Sequence, residues 1–133
     1  MPADVMIGGC LCGAVRWSSR APPRAVHHCH CSMCRRWTGG GFATLVWLSE
    51  RALTWRGEPA RFRSSRIAVR AHFRNCGTPL FLKYDSRDDI ALAVGTLDDP
   101  QSVTPTHHYG IEGKLAWADI ERDLASRQTR ETW

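Results

Sequence analysis

The 133-residue sequence has no long hydrophobic run and no leader-like N-terminus. No apolar stretch approaches the roughly 18 residues that a membrane-crossing helix needs. The first residues do not place a basic region ahead of an apolar one, as a secretory signal would. The sequence therefore predicts no membrane partner and no export, and we expect a cytoplasmic protein.

Internal repeats, low-complexity segments and a sustained helical periodicity before residue 116 are also absent. Instead, β-prone runs alternate with clusters of glycine, proline, serine and aspartate that favour turns. The runs predicted as strands are 14–17, 43–48, 52–56, 67–73, 80–84 and 90–94. Residues 118–133 are polar and predict a short helix or an irregular tail. We expect one mainly β domain over residues 1–133, built of short antiparallel sheets.

Acidic residues are in the minority, since 18 Lys and Arg face 13 Asp and Glu and give a formal net charge of +5. Basic residues gather at 35–36, within 61–74 and within 122–130. No nucleic-acid-binding motif accompanies them, so we expect nucleic acid not to be the partner. The positive charge favours anionic small molecules instead. The oligomeric state cannot be read from this pattern.

Six cysteines fall into close groups against this background. They are Cys10 and Cys12 in a C-x-C pair, Cys29, Cys31 and Cys34 in a C-x-C-x-x-C run, and Cys76 alone. In a chain without a secretory signal, such groups favour metal binding over disulfides. Two alternatives are inert buried cysteines and a redox dithiol formed by Cys31 and Cys34, which have C-x-x-C spacing.

The spacing divides the cysteines into two candidate metal sites. We expect the chain to bind zinc, with one or both sites occupied. Cys29, Cys31 and Cys34 are close enough to bind one ion as a tripod. Three protein ligands leave a fourth position free, which is the arrangement of a catalytic zinc site. The second site, which we expect to be structural and to need a fourth ligand, takes the remaining three: Cys10, Cys12 and Cys76.

Five histidines have an ambiguous relation to the tripod. His27, His28 and His30 flank it in sequence, and any of them could be a fourth ligand or a proton carrier near neutral pH. His107 and His108 lie far along the chain and could fold back onto the site. Packing or ordinary hydrogen bonding is the plainer role for most of them.

The cysteines lie within motifs that resemble the glutathione-dependent formaldehyde-activating enzyme family, whose domain also occurs in centromere protein V. Residues 8–16 resemble its opening G-x-C-x-C-G-x-V-R motif, and residues 29–36 resemble its C-H-C-x-x-C-R motif. Residues 76–80 are similar to the end of its F-C-x-x-C-G-T-P-L motif. Residues 95–100 resemble G-x-L-D-D-P, and residues 105–108 with Trp117 match a late P-x-x-H and W. The resemblance spans about residues 8–117.

The resemblance implies a β-tent zinc fold with a structural metal at the Cys10, Cys12 and Cys76 positions. It implies a reactive metal at the Cys29, Cys31 and Cys34 positions. The expected activity is that of a carbon–sulfur lyase which combines glutathione with formaldehyde into S-hydroxymethylglutathione. A non-catalytic protein that binds glutathione or another thiol is the alternative.

One position departs from the family pattern. The C-x-x-C before Gly-Thr-Pro requires a cysteine at position 73, and this chain has Phe73 there. His72 could replace the missing ligand after a local shift, although strand alternation points neighbouring residues to opposite faces. Water as the ligand, or an empty site, are the other outcomes.

The residues after the tripod are candidate substrate contacts. A zinc ion with three thiolates favours a fourth soft thiolate and lowers the pKa of the bound sulfur. Glutathione also carries carboxylates, which Arg35 and Arg36 could bind by paired hydrogen bonds, with Trp37 as a wall of the pocket. The alternatives are a solvated basic turn for the two arginines and a core position for Trp37.

Overall fold

The computed structural model describes residues 4–119 and 124–133. Its elements in chain order are β1 (Met6–Gly9), β2 (Arg16–Ser19), β3 (Ala25–Cys29), α1 (Ser32–Thr38), β4 (Ala43–Ser49), β5 (Leu53–Arg56), β6 (Ala60–Arg63), β7 (Ala68–His72), β8 (Pro79–Tyr84), β9 (Asp89–Ala93) and β10 (His107–Tyr109). Short 3-10 helices occupy Glu50–Ala52, Val94–Thr96, Pro100–Ser102 and Ile111–Gly113. The prediction of a mainly β fold is confirmed.

The strands form two sheets. A small sheet has the order β1-β2-β5, and a large sheet has the order β10-β3-β4-β9-β8-β7-β6. The pairs are antiparallel as expected, except that β10 joins the edge of the large sheet parallel to β3. That parallel pairing places His107 opposite His27 and His108 opposite His28.

Each of the six predicted runs overlaps a strand, but β1, β3, β6 and β10 were missed. These strands are three to five residues long and contain glycine, histidine or arginine, so they lack an apolar pattern. The sequence shows no sustained helical periodicity before residue 116, and the helix α1 that the structure contains there was not predicted. Helix α1 has seven residues, which is too short to give a helical period. Of the tail, residues 124–133 are irregular, and the part of the prediction that falls on 120–123 lies outside the described residues.

The central strands of the large sheet, such as β4 and β9, are buried on both faces, and strand alternation assigns their side chains to two cores. Val46 and Leu48 of β4 belong to a first core, which also contains Trp17 from the small sheet. Leu45 and Trp47 of the same strand belong to a second core, which contains Cys29 and Cys34. Side chains two residues apart in a strand share a face, so one strand supports both cores. The cysteine tripod therefore lies over one face of the sheet, and the small sheet packs on the other.

No helix within residues 4–119 and 124–133 combines the length and apolar character that crossing a membrane requires.

The buried carboxylate of Asp89 holds the start of β9. Asp89 is 3% exposed, and Arg87 donates two hydrogen bonds of 2.7 Å to it, from Nε and Nη2. The hydrogen bonds from Arg87 lower the pKa of Asp89. A lowered pKa in the folded state means that the carboxylate stabilises the fold above its ordinary pKa. This stabilisation is lost as pH falls through the lowered value.

We expect Asp89→Asn to reduce the free energy of unfolding at pH 7 by about 1–2 kcal/mol, because charge-assisted bonds are lost and the half-exposed Arg87 is screened by water. The difference from wild type should shrink at an acidic pH below the lowered pKa of Asp89, where the wild-type carboxylate also becomes protonated. Urea denaturation at both pH values measures this. Asp98→Asn, which removes the exposed partner of Arg16, is the matched control with a much smaller loss. An equal loss at both pH values would contradict the electrostatic explanation.

Candidate metal centres and cavities

The turn from β3 into α1 brings Cys29, Cys31 and Cys34 together. Cys29 ends β3, and Cys31 is the N-cap of α1, where its Sγ accepts a 3.3 Å hydrogen bond from the backbone N–H of Cys34. The three sulfurs lie within 4.8 Å of one another, and those of Cys29 and Cys31 are 3.7 Å apart. The cap that starts the helix is thus the same feature that assembles the tripod.

Burial and mutual hydrogen bonding set the protonation of these thiols. Cys34 is fully buried, Cys29 is 5% exposed and Cys31 is partly exposed. A hydrogen bond from Cys34 lowers the pKa of Cys29. The same bond, together with burial, raises the pKa of Cys34. Neighbouring thiols that compete for protons in this way form a donor set suited to a thiophilic cation.

Arg70 of β7 is a buried cation beside the tripod. It is 6% exposed, its Nη1 donates to Cys34 Sγ at 3.5 Å, and its guanidinium carbon lies 5.0 Å from the centre of a Trp37 ring. No carboxylate pairs with it within residues 4–119 and 124–133, and its Nε has no hydrogen-bond partner there. A buried charge needs a compensating charge. Three thiolates and one divalent ion leave one net negative charge, which Arg70 would balance.

The second group of cysteines is more exposed. Cys10 is buried, Cys76 is partly exposed and Cys12 is exposed, yet their sulfurs also lie within 4.8 Å of one another. The Val15 N–H donates to Cys10 Sγ at 3.2 Å. The Thr78 hydroxyl lies 3.2 Å from Cys76 Sγ and lowers the pKa of Cys76 to about 6. This group too is a candidate metal site.

Two left-handed glycines shape the turns of this second group. Gly13 follows Cys12 with φ 82°, and Gly77 follows Cys76 with φ 77°. A residue with a β-carbon rarely adopts this conformation. The glycine after each of these two cysteines therefore allows the chain to turn back beside the cysteine.

The structure places His72 away from the second group. His72 lines a cavity together with Trp37 and Arg70, whereas Phe73 is 8% exposed and packs in the first core, as do Cys10 and Cys76. His72 is the last residue of β7 and Phe73 follows it, and neighbouring residues of an extended chain point to opposite faces. The described residues offer this group three cysteine ligands and no histidine. The idea that His72 supplies the fourth ligand gains no support.

A cavity of about 330 Å³ lies on the tripod side of the large sheet, and Cys29 forms part of its wall. Its other polar and aromatic lining residues come from four strands and one loop: His27, Trp47, Tyr84, Arg87, His107 and Tyr109. Trp47 Nε1 donates to His27 Nε2 at 2.8 Å, and the ring of His107 stacks on His27 with centroids 5.0 Å apart. We call this the Cys29 cavity. A small molecule there can reach the edge of the tripod.

His30 and His108 form a pair beside the turn that carries the tripod. His30 is fully buried between Cys29 and Cys31 in sequence, and its Nε2 lies 2.8 Å from Nδ1 of the exposed His108. Burial lowers the pKa of His30. The late histidines thus fold back against the histidines that flank the tripod, where they make packing and hydrogen-bond contacts. Among the described residues, no histidine is grouped with the three sulfurs.

The three predicted substrate contacts after the tripod do not converge. Arg35 Nη1 donates to the backbone oxygens of His30 and Gly113, at 2.7 and 2.5 Å, and so attaches α1 to the segment after β10. Arg36 and Trp37 line a different cavity, also of about 330 Å³, which we call the helix cavity. Its other lining residues are Met33, Phe62, Ser64, Arg70 and His72.

Sequence reasoning missed Arg70, Trp47, Tyr84, Arg87 and Tyr109. Arg70 carried a signal, because it occupies a core-facing position of a strand that was predicted at 67–73. Ala68, two residues earlier on the same face, is a buried member of the second core. The aromatic residues carried none, because they meet only through long-range strand pairing.

The fold and the two cysteine groups define a class: small, mainly β proteins with two sites at which three cysteines can hold a metal ion. A family model described as glutathione-dependent formaldehyde-activating enzyme matches residues 5–112. The chain belongs to this family, as the motifs predicted.

Two individual proteins resemble the chain more distantly. An uncharacterized lyase of Schizosaccharomyces pombe is 29% identical over 77 residues, which are 58% of this chain and 56% of the relative. The match thus spans little more than half of that protein. A crystal structure of a Rhodobacter sphaeroides protein superposes with a TM-score of 0.62 and 24% identity, covering 77% of this chain and 99% of the other. The structural likeness supports the fold.

Proposed function

We propose that the protein catalyses carbon–sulfur bond formation between glutathione and formaldehyde, and its reversal, with zinc held by Cys29, Cys31 and Cys34. The observation that carries the proposal is the position of Cys29, which is both a member of the tripod and part of the wall of a cavity. Membership of the family and the lyase relative support the same class of reaction.

The residues present fit a bound metal. Three sulfurs lie within 4.8 Å, and the buried Arg70 lacks any other source of negative charge among the described residues. When bound, a zinc ion favours the thiolate form of a fourth sulfur near neutral pH. The reaction also needs a cavity that holds the aldehyde and a residue that carries one proton.

The proposed reaction balances with a single proton transfer. The substrate sulfur forms a bond to the aldehyde carbon, and the C=O π electrons move onto oxygen. The proton released from the thiol ends on that oxygen. The cavity holds both reactants close together, and this proximity supplies much of the rate gain.

His107 is the proposed proton carrier. His27 is unsuited, because its Nε2 accepts from Trp47 and its Nδ1 lies 3.2 Å from the His28 carbonyl oxygen. His107 lines the same cavity, and within residues 4–119 and 124–133 only its Nδ1 is engaged, with the Thr106 hydroxyl at 2.9 Å. Its exposed ring can exchange a proton with water.

Arg87 lies at the Cys29 cavity and is the proposed contact for a substrate carboxylate. Its guanidinium lies 4.4 Å from the centre of a Trp47 ring and donates a hydrogen bond to Asp89. These two contacts fix the guanidinium at the wall of the cavity. Arg36 and Trp37 remain proposed contacts for a substrate that approaches through the helix cavity. Arg35 is a proposed positioning residue, since its guanidinium binds backbone oxygens.

The proposal is tested by measuring adduct formation from glutathione and formaldehyde by exchange NMR spectroscopy. We expect wild-type protein to exceed the uncatalysed rate and Cys31→Ser to fall to it. His107→Gln should lower the rate about 100-fold, which is a typical contribution of a general acid or base. His72→Gln, the same change in the helix cavity, is the matched control.

Two outcomes would contradict parts of this proposal. Saturable glutathione binding without any rate gain would favour a glutathione-binding protein without catalysis. A larger loss of rate in His72→Gln than in His107→Gln would indicate that the substrate binds in the helix cavity and not in the Cys29 cavity.

A further inference from the structure

The group formed by Cys10, Cys12 and Cys76 is the more accessible of the two cysteine groups. Cys12 is exposed and Cys76 is partly exposed, whereas both Cys29 and Cys34 are buried. A metal ion held by the more accessible group would have solvent on at least one side. This exposure is unusual for a purely structural site, which normally closes its four positions with protein ligands.

The surrounding residues supply no fourth ligand. Among residues 4–119 and 124–133, the group contains three cysteine sulfurs and no histidine or carboxylate. The Thr78 hydroxyl is already engaged, since it accepts a 3.0 Å hydrogen bond from the Leu11 N–H and lies 3.2 Å from Cys76 Sγ. His72 lies in the helix cavity.

Phe73 occupies the place from which a fourth ligand could come. Its backbone N–H donates to the Thr78 oxygen at 3.0 Å, and its carbonyl accepts from Gly77 at 2.7 Å, so residue 73 and Cys76 flank one turn. The Phe73 ring is 8% exposed and packs in the first core, which Cys10 and Cys76 also contact. The ring contributes to the core and offers no donor atom.

We infer that Cys10, Cys12 and Cys76 form a second open metal centre, whose fourth ligand is a small thiol from solution. Three thiolates select a soft or borderline ion such as Zn²⁺ or Cd²⁺, and such an ion prefers a further sulfur to water. Binding releases one water from the metal, and the thiol proton passes to solvent. This centre is separate from the proposed catalytic tripod, so it stands or falls independently of the proposed reaction.

The test uses the full chain loaded with ¹¹³Cd, whose NMR signal reports the ligands of each bound ion. Wild-type protein should give two signals, and Cys12→Ser should identify the one from this group by its loss. Addition of 2-mercaptoethanol should shift that signal. Phe73→Cys should weaken the response, because the tethered thiol competes with the added one at an effective concentration on the order of 1 mM or more.

Phe73→Leu is the matched control, because it removes the ring without adding a donor atom and should keep the response to thiol. Release of cadmium to a chelator should be about tenfold slower in Phe73→Cys than in Phe73→Leu, since a fourth tethered ligand must also dissociate. If Phe73→Cys does not fold, the thiol titration of wild-type protein still decides the matter.

Three results would overturn the inference. They are a single bound ion per chain, a Cys12-dependent signal that is unmoved by millimolar thiol in wild-type protein, and equal release from the two Phe73 variants. A loss of adduct formation in Cys31→Ser bears only on the tripod and leaves this result unaffected.

Discussion

We expect the Arg70→Met variant to bind metal at the tripod about 10–100-fold more weakly than wild type, as replacements of residues that support metal ligands generally do. Methionine keeps much of the side-chain volume but removes the N–H group that lies 3.5 Å from Cys34 Sγ. The negative charge of the metal–thiolate group would then be buried without compensation. Competition with a zinc chelator measures the affinity.

Arg70→Lys separates charge from geometry. It keeps a positive charge but loses the planar guanidinium that stacks on Trp37, so an intermediate affinity is expected. Arg61→Met is the control, because the Arg61 guanidinium also lies 5.0 Å from the centre of an aromatic ring, that of Phe81, but Arg61 is exposed. Wild-type affinity in Arg70→Met would refute the charge-balancing role.

Replacing Cys34 with serine is expected to remove one of the two metal equivalents and to return adduct formation to the uncatalysed rate. Cys34 is fully buried, so the variant leaves both a buried hydroxyl and the Arg70 guanidinium without a suitable partner. Breaking a buried charge pair in this way costs about 3 kcal/mol or more of unfolding free energy. Metal analysis, the exchange assay and urea denaturation give the three measurements.

Cys12→Ser is the comparison for this variant, since it removes an exposed thiol from the other group. It should also lose one metal equivalent, but with a smaller fall in unfolding free energy and in rate than Cys34→Ser. The reverse order would exchange the roles that we propose for the two metal centres.

The tripod was predictable because its chemistry is local in sequence. Its three thiols lie within one strand-to-helix turn, so the spacing alone indicated that they could share a metal. The second group required Cys76 to meet Cys10 and Cys12, and the structure brings their sulfurs together as expected. Cysteine is informative in this way because clustered thiols that form no disulfides are most often metal ligands or catalytic groups.

The substrate contacts were less predictable, and helix geometry explains why. Consecutive residues of an α-helix point about 100° apart, so Arg35, Arg36 and Trp37 cannot all face one ligand. Arg35 instead donates a hydrogen bond to the backbone oxygen of Gly113. The residues that line the Cys29 cavity come from strands that are far apart in sequence. A sequence read in order does not reveal that Trp47 and His107 share a wall, because their proximity depends on the parallel pairing of β10 with β3.

The parallel pairing of β10 with β3 makes the Cys29 cavity the last of these features to be completed during synthesis on the ribosome. The three cysteines of the tripod lie within residues 29–34, and the second group is complete once Cys76 has been made. The Cys29 cavity also needs His107 and Tyr109. Since chains are made from the N-terminus, a nascent chain contains both cysteine groups before it can form this cavity.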